Sequence, residues 1–145
     1  EGWGGKRLPS NVRWIGHVPS DSHNRVNCSA RMVLNINRDS MAHVGFSPPT
    51  RIFEAAGAGA CLITDSWEGI ETFFAPGREI LPASSAEEIV QYLRRCDSAK
   101  ASEIGKAMRL RALRLHTYEL RAAQVQAALN AHATETASQP QQAVA

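Results

Sequence analysis

Ser47-Pro48-Pro49-Thr50-Arg51-Ile52-Phe53-Glu54-Ala55-Ala56-Gly57-Ala58-Gly59-Ala60-Cys61-Leu62-Ile63-Thr64-Asp65 reads as a helix that feeds at once into a buried strand. Proline suits the first helical turn, where its missing N–H is not needed, so the helix begins near Pro49. Gly59 is placed to end it. Cys61-Leu62-Ile63-Thr64 then has the length and apolar character of a strand covered on both sides. A helix joined to such a strand by so short a turn is half of a parallel crossover unit, which points to an α/β protein.

The flanking sequence repeats the alternation. Val12-Arg13-Trp14-Ile15 is expected as a strand ended by Gly16, and Pro19-Ser20-Asp21 opens a weak helix to about Ala30. Met32-Val33-Leu34-Asn35-Ile36 is a second strand, followed by a polar loop from Asn37 to Ser47. After the third strand, Trp67 to Phe74 is a short helical turn and Glu79-Ile80-Leu81 a fourth strand. Ser85-Ala86-Glu87-Glu88 is a capping box whose helix buries Ile89, Tyr92 and Leu93. A longer helix from about Lys100 carries Ile104, Met108 and Leu115, and Thr117 caps a last one reaching about Ala131. The fold class expected is α/β: a Rossmann-like parallel sheet with flanking helices and right-handed crossovers. Residues 1–131 form the domain, and the Thr-, Ser-, Gln- and Ala-rich residues 132–145 are expected to be disordered.

Composition narrows the function. The 145-residue chain is large enough for one core, and a net charge of +2 gives no reason to invoke nucleic acid. Arg109, Arg111 and Arg114 read as a solvated helix face. Cys28, Cys61 and Cys96 lack metal-type spacing and read as buried free thiols of a cytoplasmic protein. The five histidines show no paired-ligand spacing, so no metal is expected. No apolar run is long enough for a membrane span.

In an open parallel sheet, ligands bind beyond the carboxyl ends of the strands. That rim gathers Gly16 and His17, then Asn37, Arg38 and Asp39, then Asp65, Ser66 and Trp67, together with the start of the Pro49 helix. A helix N-terminus favours an anion, phosphate above all. Because two prolines remove donors there, a phosphate grip would lean on Ser47, Thr50 and Arg51; the alternative for Arg51 is a pair with a surface acid. Glu54 is either a carboxylate on the exposed stripe of the helix or an acceptor for two vicinal hydroxyls such as those of a ribose. Gly57 and Gly59 suggest close packing, and Trp67, Phe73 and Phe74 suggest core or lid. No nucleophile signature is present, so catalytic residues are unassigned and the chain reads as a binding half-site.

The run Gly45-Phe46-Ser47-Pro48-Pro49-Thr50-Arg51-Ile52-Phe53-Glu54-Ala55-Ala56, then Gly59, then Ile63-Thr64-Asp65-Ser66-Trp67-Glu68-Gly69-Ile70-Glu71-Thr72-Phe73-Phe74, then Pro76-Gly77-Arg78-Glu79-Ile80-Leu81, resembles the C-terminal domain of CgeB-like (spore-maturation-type) glycosyltransferases. Asn11-Val12, Gly16-His17-Val18, Leu34-Asn35-Ile36-Asn37-Arg38 and His116-Thr117-Tyr118 extend the resemblance over about residues 9–130. It implies the C-terminal half of a GT-B fold, truncated at its N-terminus, that binds a nucleotide-diphosphate sugar as donor substrate and needs no further cofactor. Glu54 would hold the ribose hydroxyls, Ser47, Thr50 and Arg51 would face the diphosphate, Gly16 and His17 would lie near the base, and Arg38 and Asp65 would line the rim. Group-one relatives often carry a second Glu where this chain has Phe46. The implied partners are the donor, an unknown acceptor and the missing N-terminal domain, without which this piece is expected to be inactive. Self-association through an open sheet edge is expected too. The alternative is a non-catalytic interaction domain that keeps the fold without donor binding.

Overall fold

A computed structural model describes residues 7–37, 40 and 43–138. A 3-10 turn at Ser20–Ser22 leads into helix α1 (His23–Ser29), then strand β1 (Val33–Asn35), helix α2 (Thr50–Ala58) and strand β2 (Leu62–Asp65). Short helix α3 (Ile70–Phe73), strand β3 (Leu81–Ala83) and helices α4 (Ala86–Arg95), α5 (Ser98–Leu115) and α6 (Tyr118–Ser138) follow. The three strands are parallel in the order β1-β2-β3. Val33 stands opposite Leu62, and Ile63 opposite Leu81.

Each sheet face has its own core, as expected for α/β packing. On one face, Leu62 meets Ile52, Ala55 and Ala56 of α2, with Phe74, Ile80 and Met108. On the other, Ile63, Leu81 and Ala83 meet Cys96, Ala101 and Ile104, with Ile89 and Tyr92 of α4 against them. Helix α5 serves both, its first half in one core and its second half in the other. It crosses the end of α2 at a point where no side chain fits: a Cβ on Gly105 would lie 2.1 Å from the Gly59 carbonyl oxygen. Gly59 is left-handed (φ 70°), and its N–H and that of Ala60 satisfy carbonyls at the end of α2.

Several expectations change. Residues 12–15 form no strand, and Val12, Trp14 and Ile15 are exposed. Strand-prone residues need a neighbour to pair with, and among the described residues none lies beside them. The fourth expected strand is shifted to Leu81–Ala83, because residues 76–80 form a turn closed by Gly77 N–H to Ile80 O at 2.7 Å. Leu93 is exposed rather than buried. The Ser85 hydroxyl accepts from Glu88 N–H at 3.3 Å, but the Glu88 carboxylate reaches the Ser84 N–H rather than that of Ser85. Helix α6 continues past residue 132 to Ser138. Cys61 and Cys96 are buried, whereas Cys28 is exposed. Arg111 is half-buried rather than solvated: it pairs with buried Glu79 at 3.4 Å and donates to Phe73 O at 2.6 Å.

Candidate functional site

Helix α2 returns antiparallel to the strands, so its N-terminus lies at their carboxyl edge. Pro49 caps it without a side-chain hydrogen bond, and no acidic residue occupies its first turn. The Ile52 N–H already bonds Pro49 O at 3.0 Å, so the Thr50 and Arg51 N–H groups and the positive end of the helix dipole are what is left for an outside acceptor. Thr50, Glu54 and Gly57 follow at helical spacing and line one wall of a groove of about 560 Å³. The facing wall comes from the end of α5 and the start of α6, with Leu113, His116, Thr117 and Tyr118.

Glu54 keeps 43% of its side chain exposed, and its Oε2 lies 3.1 Å from His23 Nδ1. His23 Nε2 is 3.0 Å from Val18 O. Both ring nitrogens thus face acceptors, Glu54 Oε2 on one side and Val18 O on the other. This chain of contacts ties the loop at residues 16–18 to the middle of α2. Gly16 in that loop has φ 78° and open space around it, and His17 is exposed.

The other expected residues divide. Pro48 and Thr50 line the groove with Glu54. Ser47 is exposed just before the helix; Arg51, one turn before Glu54, is exposed and pairs with no acid among the described residues. Arg38 and Asp39 lie outside the described residues. Asp65 is not in the groove: its Oδ1 accepts from Asn37 N–H at 3.0 Å and from the Thr64 hydroxyl at 3.2 Å. Trp67 and Phe74 are core residues, as expected. Phe53, Phe73 and Phe74 gather around His116, with ring centroids 5.4–5.8 Å from it.

His23 and His116 escaped the sequence reading. The His23–Glu54 contact joins residues 31 apart, and no local pattern marks it. His116 stood in the stretch His116-Thr117-Tyr118, but nothing in that string gives its task. It bonds Phe73 O through Nε2 at 2.9 Å, while Arg121 donates to Nδ1 at 2.7 Å, which fixes the neutral Nε2–H form. Burial holds its pKa below the usual histidine value; the nearby Arg121 and Arg111 charges add to this, against the opposing bond to Phe73 O. Cys61 is no nucleophile, since burial beside Cys96 pushes its thiol up to about 12.

Among the described residues, no group of three His, Cys, Asp or Glu comes together to hold a metal, and no helix is long and apolar enough to cross a membrane. The groove can hold a hydroxyl-rich ligand on Glu54 with an anionic part toward the α2 N-terminus. No significant match was found among curated proteins or among solved structures. A family described as glycosyl transferase-like matches residues 1–127, and with that span covered the chain belongs to this glycosyltransferase-like family.

Proposed function

We propose that this chain is the donor-binding domain of a CgeB-like glycosyltransferase, working in the reducing cytoplasm on a nucleotide-diphosphate sugar. The observation that carries the reading is the half-exposed Glu54 carboxylate on the groove wall, one helical turn from the uncapped N-terminus of α2. One carboxylate accepts from both hydroxyls of a ribose, and the helix end takes the diphosphate. In the transfer, the bond from the sugar's anomeric carbon to the diphosphate breaks and a bond to an acceptor hydroxyl forms. Negative charge grows on the departing diphosphate, and the helix end with Arg51 is placed to stabilise it. The acceptor and the groups that activate it belong to a second domain facing this one across a cleft, so this chain by itself is a binder rather than a catalyst.

Calorimetric titration with UDP, GDP, UDP-glucose and GDP-mannose tests the reading. Binding that Glu54→Ala abolishes supports it, and a Glu54→Ala protein that binds as the unaltered chain does refutes it. The rival interaction-domain reading draws on the His23 contact, which occupies Glu54 from within. It predicts no binding to any of the four compounds.

A further inference from the structure

A second groove, of about 510 Å³, runs along the end of α5 and shares one residue, Leu113, with the groove of Glu54. One wall is a stripe of α5 in which Leu110, Arg111 and Arg114 recur at helical spacing. The other wall is Arg78 and Glu79, from the turn before β3. Glu79, the groove's one acid, is buried and already held by Arg111 at 3.4 Å and by the Ala75 N–H at 2.8 Å. Arg78 and Arg114 are exposed and pair with no acid among the described residues. Two guanidinium charges therefore stand unneutralised in one groove.

Part of this has a plain cause. Cations near the C-terminus of a helix complement its dipole, and between Ile104 and His116 α5 carries Lys106, Arg109, Arg111 and Arg114 with no Asp or Glu. The dipole does not account for what stands between the charges: Leu110 is 70% exposed and Leu113 55% exposed. Apolar side chains left in water and rimmed by charge mark a contact surface. A free phosphate or a run of carboxylates would neutralise the arginines and leave both leucines wet. An anionic bilayer satisfies both kinds of side chain at once. Its lipid phosphates match the planar guanidinium fork, and the boundary between headgroups and acyl chains takes the leucines.

We propose that this face of α5 docks on the surface of a membrane rich in anionic phospholipid, with a lipid phosphate held between Arg78 and Arg114 while Leu110 and Leu113 enter the acyl boundary. The contact is peripheral, as no described helix is long and apolar enough to cross the bilayer. Arg111 stays with Glu79 and forms the floor of the groove rather than a lipid contact. Because Leu113 also lines the groove of Glu54, docking holds that groove beside the lipid surface. The inference does not depend on what the Glu54 groove binds.

Vesicle flotation of the full chain tests this, with phosphatidylcholine alone and with phosphatidylcholine mixed with phosphatidylglycerol. The chain should float with the anionic vesicles only, and less as salt is raised. Arg78→Gln and Arg114→Gln should each weaken binding roughly 5-fold, the worth of one cation at an anionic surface. Leu110→Ser should weaken it by roughly 5–10-fold through lost apolar burial. All three positions are exposed, so these variants keep the fold. In Leu110→Trp, anionic vesicles should shift the tryptophan emission to the blue by more than in the unaltered chain. No binding to anionic vesicles, or equal binding to both kinds, overturns the assignment. A double Arg78→Gln, Arg114→Gln variant that floats like the unaltered chain overturns it too, since the contact then lies elsewhere. Binding that ignores Leu110→Ser, and that inorganic phosphate removes at constant ionic strength, would make this a site for soluble phosphate. Vesicles displaced by a polyglutamate peptide at constant ionic strength would make it a dock for an acidic protein. Either result overturns the membrane assignment.

Discussion

Replacing Gly105 by alanine should destabilise the protein, although alanine is the better helix former. The added Cβ would lie 2.1 Å from the Gly59 carbonyl oxygen and 2.8 and 2.9 Å from the Gly59 and Ala60 carbonyl carbons. All three are backbone atoms, so no side chain can turn aside. Nor can that backbone yield easily: Gly59 N–H bonds Ala56 O at 2.9 Å, Ala60 N–H bonds Ala55 O at 3.0 Å, and the chain enters central strand β2 two residues later. Overpacking of this kind costs about 3 kcal/mol, the upper end for a forced backbone shift. Helix propensity returns about 1 kcal/mol, leaving a net loss of about 2 kcal/mol. For a chain of this length that is roughly 6–8 °C in Tm. Gly57→Ala is the matched control, because its Cβ meets nothing within 4 Å; the same propensity gain should then raise Tm by roughly 2–4 °C. Differential scanning calorimetry reads both. A Gly105→Ala protein as stable as the parent would show that α2 and α5 do not meet this closely, and with it the groove between α2 and the end of α5 would lose its geometry.

Three further outcomes follow from the same packing. Arg111→Met strands the buried Glu79 carboxylate and should cost about 3 kcal/mol by urea unfolding; a loss below about 1 kcal/mol would mean that water already reaches Glu79. Native protein should react with an aromatic disulfide reagent at one thiol, Cys28, and at all three cysteines once denatured, whereas rapid labelling of Cys61 or Cys96 in the native state would contradict their burial. His116 has a folded pKa below its ordinary 6.5, so the unfolded chain takes up the proton first. Its contribution to stability is whole above about pH 6.5 and is lost as pH falls through the lower folded value. The Tm of the unaltered protein should therefore drop more steeply between pH 7 and pH 5 than that of His116→Gln, and parallel slopes would exclude the neutral, Arg121-bonded ring.

The sequence carried the elements whose causes are local. Proline before the helix, Gly59 after it and an apolar run behind it specify α2 and β2 almost without help from elsewhere. The Ser85 cap and the spacing of Ile104 and Met108 did the same for α4 and α5. Strand 12–15 failed for the converse reason: its residues favour extended backbone, but a strand is a relation between two segments, and the described chain offers it no neighbour. Glu79 and Arg111 were invisible as a pair because residues far apart along the chain meet only once α5 packs. The site divides along the same line. Thr50 and Glu54 share a wall by helical periodicity, which is legible. His23 and His116 depend on contacts across the fold.

The two readings of Glu54 can now be weighed on what its surroundings cost. A glutamate kept only for an amphipathic surface would need neither a groove nor a partner. This one has both, and the partner is a histidine whose other nitrogen is anchored to Val18 O. That anchoring holds the ring at a fixed place beside the carboxylate, yet His23 engages only Oε2. The second oxygen and the open groove leave room for donors from outside. Arg51, one turn earlier on α2 and without an acid of its own among the described residues, gives the same helix end an unneutralised positive charge. An interaction surface could use such a charge anywhere. Its placement beside uncapped N–H groups and a half-exposed carboxylate fits a ligand that is anionic at one end and rich in vicinal hydroxyls at the other.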